Sequence, residues 1–497
     1  MYRAWFVLLV IVFAYVPVAI DATVLHVAAP TLSVALGASG SELLWIIDIY
    51  SLVMAGMVLP MGALGDRLGF KRLLILGVML FGAASVGAAL APDAAMLIAA
   101  RALLGVGASM ILPATLAGIR NTFGNGHERN VALGIWAAVG AGGAAFGPLV
   151  GGILLAHFSW NMVFLINLPM VALVLLLAWR GVPKQAGNAC QRLNFSHSLM
   201  LVVAVLALVW SIKYAIQPES EWLTVLMMLA SGLFLLLLFV RLQRRSMSPL
   251  LDIELLTHRT ILTGAVMALI SMVALVGFEL LMAQELQFVQ GKTPLQAGMF
   301  MLPIMLASSL CGPFAGLLVA RFGLRQVAAA GVALSAIGFY GLAHTDFARQ
   351  PWLAWGWMTL LGLSVATALL SGTSAIMSAV PQKKAAAAGA IETMAYELGA
   401  GLGVAFAGLL LTRSYRAAID LPQGLSSGAA QRAGSSVGEA AQVALSLDSE
   451  QATRVMSAAA QAFSHSHSVV LGLASLLMSS LALIVWFTLK NANPVSE

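Results

Sequence analysis

Fourteen stretches of the chain are apolar for long enough to cross a bilayer, which takes about 20 residues. They run roughly over 5–29, 43–64, 73–91, 95–119, 131–156, 162–180, 198–216, 222–241, 260–283, 297–320, 325–343, 352–378, 386–412 and 467–490. Backbone groups in lipid must pair within their own segment, so each stretch is predicted to be a helix. The first begins near Trp5 and continues to about Ala29 without a small-residue cleavage pattern, so it reads as a span and not as a removed leader. Between the last two spans lies a long Ala/Ser/Gly-rich loop, 413–466, in which Asp448 or Ser449 can cap a short surface helix reaching about Phe463. The pattern predicts an all-α polytopic membrane protein.

Composition agrees with this reading. Only 9% of the 497 residues are charged and 60% are apolar, against about 25% charged in ordinary soluble domains. The net charge of +6 is scattered over short loops, which points to the membrane surface as partner and away from nucleic acid. The two cysteines, Cys190 and Cys311, fall in a loop and in a span, a placement that favours neither a disulfide nor a metal site. With the N-terminus placed inside, eighteen of the 26 Lys and Arg residues lie inside and seven outside, with Arg101 within a span. Both termini are therefore expected in the cytoplasm.

The chain also repeats itself, as transporters commonly do. Gly62, Arg67, Gly69 and Lys71 between spans 2 and 3 map onto Gly316, Arg321, Gly323 and Arg325 between spans 10 and 11, and Gly37 maps onto Gly291, all at an offset of 254. Spans 1–6 then correspond to spans 9–14. The expected organisation is an N-terminal six-helix bundle (1–181), a linker with two inserted helices (182–258) and a C-terminal six-helix bundle (259–497).

Four local patterns carry a resemblance. Gly62, Asp66, Arg67, Gly69, Lys71 and Arg72 resemble the signature between helices 2 and 3 of the major facilitator superfamily, where glycines permit close helix approach and Asp66 can lock to the basic residues. Arg101, followed by Gly105 and Gly107, resembles that family's intramembrane arginine motif, with Leu104 where Gln is common. Gly143, Gly147, Pro148, Gly151 and Gly152 resemble its antiporter motif: glycines every four residues make a smooth groove, and Pro148 removes a backbone hydrogen bond. Asp21, Thr23, His26 and Pro30, with Trp160, Asn161, Phe164, Asn167 and Pro169, resemble the fourteen-helix drug:proton antiporter branch, although His26 replaces the usual Asn and Asn161 the usual Arg. The resemblance implies the major facilitator fold and a bacterial inner-membrane location. It further implies export by alternating access of lipophilic mono- and dications (methyl viologen, quaternary ammonium compounds, bisbiguanides, cationic dyes), driven by protons. No cofactor is expected beyond the proton gradient, no nucleotide site is visible, and the working unit is expected to be a monomer.

Ionisable groups inside spans are functional candidates, and low dielectric lets a carboxyl hold a proton near neutral pH. Asp21 is the leading candidate for the proton site, with Arg101 and Glu392 assigned to the same coupling. Arg101 either pairs with a carboxylate or snorkels to an outer end. His26 lies about 140° around the helix from Asp21, so those two do not pair. Asp48, beside Trp45 and Tyr50, either guides cations inward or caps a wet surface. Asp48, Glu279, Glu397 and Tyr396 are the substrate-binding candidates. Glu285 is expected to be wetter. Glu392 and Glu397 are five apart and point apart, so one faces a cavity and the other a neighbouring span. Moving a dication out against 100 mV costs about 4.6 kcal/mol, which two incoming protons cancel and one does not. A dication exporter therefore wants at least two titratable acids.

Other functions fit less well. A carrier for a metabolite anion or siderophore on the same fold wants several buried cations, and only Arg101 lies deep. An enzyme wants a nucleophile–base pair, a metal motif or a phosphate loop, none of which is visible. His465 and His467 are two apart and diverge on a helix. A sensor wants a soluble signalling domain.

Overall fold

The computed structural model describes residues 2–123, 126–183, 195–215, 220–246, 253–380 and 385–491. Lys184, Cys190, Arg192, Lys383 and Lys384 lie outside the described residues. Among these residues fourteen spans follow in order, counting one bent pair as a single span. The first six are α1 (Tyr2–Ala35), α2 (Gly40–Leu68), α3 (Phe70–Ala89), α4 (Ala94–Thr122), α5 (Gly126–His157) and α6 (Met162–Gly181). The next two are α7 (Phe195–Tyr214) and α8 (Trp222–Arg245). The last six are α9 (Arg259–Gln284, extended by a π-helical turn Glu285–Val289), α10 (Pro294–Phe300 and Leu302–Phe322), α11 (Leu324–Ala343), α12 (Pro351–Ser378), α13 (Ala385–Ala418) and α14 (Ser449–Thr488). Thirteen are single helices long and apolar enough to cross a membrane. The fourteenth, α10, is a pair bent by 44° at Met301, a break that apolarity alone does not signal.

The two six-helix sets pack in the same pattern. In the first, α1 lies on α5, α4 lies between α2 and α3, and α6 flanks α3; in the second, α9 lies on α13, α12 lies between α10 and α11, and α14 flanks α11. The sets meet along α2–α13 and α5–α10, while α7 and α8 pair with each other and α7 leans on α2.

Local chemistry repeats at the offset of 254. Gly37 and Gly291 hold φ of +60° and +63°, and Gly69 and Gly323 hold +86° and +85°. These are conformations that a Cβ disfavours, so glycine closes each of these turns. Capping boxes open α2 through Ser39 and Glu42, and α10 through Thr293 and Gln296. Lys71 donates from Nζ to the carbonyls of Trp179 (3.1 Å) and Val182 (2.6 Å) at the end of α6. Its counterpart Arg325 donates to Trp486 O at 2.8 Å, and its guanidinium lies 4.0 Å from that indole's centre, in the last turn of α14. Each cation closes the carbonyl end of the sixth helix of its bundle, where the helix dipole favours positive charge. Asp66, Arg67 and Arg72 are exposed at the same turn, whereas Lys71 is buried.

The loop before α14 is more ordered than its composition suggests. α13 continues to Ala418, and short helices cover Ser427–Ala433 and Val437–Ala444. Asp448 caps α14 by accepting from Gln451 N. The expected short helix does not stop near Phe463 but runs unbroken into the last span, because 449–488 contains neither proline nor glycine apart from Gly472.

Candidate functional site

Asp21 on α1 and Arg101 on α4 form an ion pair, and both side chains are 0% exposed. Arg101 does not snorkel. Its Nε donates to Ile46 O at 3.1 Å, and its guanidinium lies 4.6 Å from the centre of the Tyr50 ring. The Tyr50 hydroxyl donates to Val18 O at 3.2 Å. One oxygen of Asp21, Oδ1, and Arg101 Nη2 have no hydrogen-bond partner. Gly105 makes this approach possible: a Cβ there would sit 2.6 Å from Tyr50 O. Gly107, facing Phe81 N at 2.9 Å, does the same for α3 and α4.

The glycines of α5 brace the other side of Asp21. A Cβ on Gly143 would lie 2.7 Å from Ala19 Cβ, one on Gly151 would lie 3.0 Å from Val24 O, and one on Gly147 would overlap the Thr23 hydroxyl. The motif therefore packs on the turns of α1 that flank Asp21. Pro148 has no N–H, so the carbonyl four residues earlier, on Ala144, loses its helical partner. The Thr23 hydroxyl supplies one, donating to Ala144 O at 2.7 Å. Gly152 and Pro148 also face α10, the former against Pro294 O and the latter against Gly298.

The remaining acids divide by partner. Glu392 accepts from the Thr373 hydroxyl of α12, within its own bundle, and Tyr396 also lies against Thr373. Glu397 faces the other way: Ser51 of α2 reaches it, and Tyr15 and Tyr50 lie within its field. Tyr15 in turn stacks on Trp136, with ring centres 4.7 Å apart. Glu279 bonds to His26 Nδ1 at 3.0 Å, joining α9 of one bundle to α1 of the other. His26 is thus a buried, partnered histidine that shares nothing with Asp21.

Two placements differ from expectation. Asp48 is neither wet nor free; it is 1% exposed and its Oδ2 lies 2.6 Å from Nζ of Lys213 on α7. Its depth comes from α7, which covers this face of α2. Glu285 is buried as well, at 4% exposure. It accepts from Ser464 Oγ at 2.7 Å and lies 3.4 Å from His467 Nδ1 on α14, because α14 extends far enough to cover it. Sequence reasoning missed Lys213 and Thr373 and considered His467 only as half of a diverging pair with His465; the signal for each was a polar group inside an apolar span.

At the end carrying Gly37 and Gly291, polar bonds tie the two bundles together. Besides His26–Glu279, Gln287 Nε2 donates to Val27 O at 2.8 Å, Gln442 Nε2 to Ser33 O at 2.9 Å, and Gly40 N to Glu439 at 3.3 Å. Among the described residues, no group of three or more His, Cys, Asp or Glu side chains is arranged to hold a metal.

The sequence pattern of the Major Facilitator Superfamily matches residues 11–283. Methyl viologen resistance protein SmvA of Salmonella typhimurium is 61% identical over 492 residues, covering 99% of both chains. Multidrug efflux pump LfrA of Mycolicibacterium smegmatis is 35% identical, covering 97% of this chain and 96% of its own. In three dimensions the chain is similar to a bacterial homolog of the human lysosomal transporter Spinster, with a TM-score of 0.69 at 16% identity over 98% of this chain and 97% of that one. The nucleoside transporter NupG has a TM-score of 0.57 at 13% identity, over 95% of this chain and 99% of its own. At such identities the likeness is one of fold.

Proposed function

The chain belongs to the major facilitator superfamily and is a multi-pass membrane transporter, not an enzyme; from that premise we propose that it is a drug-efflux antiporter exchanging protons for lipophilic organic cations. The substrate class follows the relatives whose names specify methyl viologen resistance and multidrug efflux, and it extends to quaternary ammonium compounds, bisbiguanides and cationic dyes. The protein works in a bacterial inner membrane with both termini in the cytoplasm, so the Gly37 end faces outward.

The observation that carries the reading is the buried Asp21–Arg101 pair, with one carboxylate oxygen unpartnered and α5 packed on either side. A buried ion pair adds little net stability while intact, but removing one charge strands the other at a cost of about 3–5 kcal/mol. A proton on Asp21 removes one charge. Arg101 is then held only by Ile46 O and the Tyr50 ring, and α1 is freed to shift against α4. The glycine face of α5 offers a surface over which α1 can move. Glu392 supplies a second protonatable acid, which a dication requires. Glu397, Tyr396, Glu279 and Asp48 contribute carboxylates and an aromatic wall for cations. Alternating access then consists of breaking the bonds at the Gly37 end while the opposite end closes.

The test is export of a cationic dye from proteoliposomes under an imposed pH gradient. Asp21→Asn is expected to insert and bind dye but to lose gradient-driven export. A variant that pumps at the wild-type rate and still collapses the pH gradient overturns the role of Asp21.

A further inference from the structure

The inserted pair α7–α8 contributes one charged side chain to the seam with α2. Lys213 Nζ lies 2.6 Å from Asp48 Oδ2 and 3.8 Å from the centre of the Trp45 ring. The two charged side chains are 3% and 0% exposed. Trp45 and Asp48 are three apart on α2 and so share a face. Asp48 Oδ1 has no hydrogen-bond partner. On α7, Trp210 and Tyr214 stack with ring centres 4.6 Å apart, flanking Lys213 in sequence. Just below, Leu52, Val209 and Ala405 form one buried cluster, so α2, α7 and α13 converge there.

Anchoring does not account for this pair. Burying each charge costs free energy, up to about 2.5–3.5 kcal/mol at a helix centre on insertion scales, and well-packed apolar side chains hold helices together as well as or better than a buried ion pair does. A carboxylate beside an indole face is, however, the chemistry that binds an alkylammonium. Lysine carries such an ammonium on a flexible four-carbon stem. We propose that Trp45 and Asp48 form a subsite for the ammonium or phosphonium head of a lipophilic cation, and that Lys213 is its built-in occupant, which the substrate displaces. The inserted α7 then acts as a tethered competitor beside the α2–α13 seam. The inference rests on the cation-export reading in which Asp48 holds substrate.

A tethered competitor acts at high effective concentration, so deleting its charge strengthens binding of the free ligand. The experiment is equilibrium binding of radiolabelled tetraphenylphosphonium to the full-length protein in detergent. Lys213→Met is expected to bind roughly tenfold tighter, with Lys213→Arg near wild type. Adding Asp48→Asn or Trp45→Ala to Lys213→Met removes the gain. Should Lys213→Met fail to fold, Lys213→Gln keeps a hydrogen-bond donor to Asp48 without the charge, and the same gain is expected. Unchanged or weakened affinity in a folded Lys213→Met or Lys213→Gln variant overturns the inference, as does a gain that survives Asp48→Asn. A wild-type protein that binds no tetraphenylphosphonium and exports no cation sinks the function itself, a result distinct from wild-type export with unaltered variant affinity.

Discussion

Thr23 sets the scale of a single atom. Its hydroxyl satisfies the Ala144 carbonyl that Pro148 leaves open, two residues along α1 from Asp21. Replacing Thr23 with Val keeps the shape but strands that carbonyl, at about 1–3 kcal/mol. Thr23→Val should therefore lower thermal stability in detergent and slow proton-driven dye export, whereas Thr23→Ser should restore both. The proline's open carbonyl was legible in the sequence, since the missing N–H and the i−4 position are fixed by covalent geometry. Its donor was not, because Thr23 lies 121 residues away and only the packing of α1 on α5 brings it close. Asp21 and Arg101 were legible as buried charges for the same kind of reason: a lone acid and a lone cation deep in spans must each find something. Lys213 was not, because a lysine near the end of a span reads as a loop charge until α7 is seen folded against α2.

At the scale of elements, the helix ends explain more than the helix middles. Lys71 and Arg325 close the carbonyl ends of α6 and α14 from equivalent turns. Lys71→Met is expected to fray the last turn of α6, seen as faster amide exchange over 178–182, while α14 is untouched. Arg325→Met should do the converse at 485–488. If both variants loosened both helices, the caps would not be local. The shared offset makes this pairing visible in the sequence, because glycine turns and basic residues recur at the same spacing. The break in α10 at Met301 escaped the hydropathy pattern, which does not register a 44° bend; its signal was Pro303, in the first turn of the second piece.

For the whole molecule, polar bonds at the Gly37 end tie the two bundles together. A Cβ on Gly40 would stand 3.4 Å from Ser436 Cβ, close to the separation of about 3.5–4.5 Å found in disulfides. Gly40→Cys with Ser436→Cys, in a background with Cys190 and Cys311 replaced by Ser, is expected to oxidise readily and to stop dye export, with reductant restoring it. Full transport by the oxidised protein would mean that this end need not open. The helices followed from apolar runs of about 20 residues, since a helix pairs its backbone within its own segment; the two-bundle organisation followed from the repeat, and the fold from the motif resemblance. Which acids face each other across the seam did not follow, since bundle-to-bundle contacts such as His26–Glu279 join positions 253 residues apart.

α14 is one helix of 40 residues. At 1.5 Å per residue it is about 60 Å long, twice the hydrocarbon thickness of about 30 Å. Half of it therefore stands outside the membrane as a mast, stepped in the C-terminal bundle and carrying the short helices of 427–444 along its flank. A mast magnifies whatever its foot does: a tilt of about 10° carries its tip roughly 10 Å sideways. A probe attached at exposed Glu450 thus magnifies any tilt of the C-terminal bundle, at a place remote from Asp21, Arg101 and Asp48.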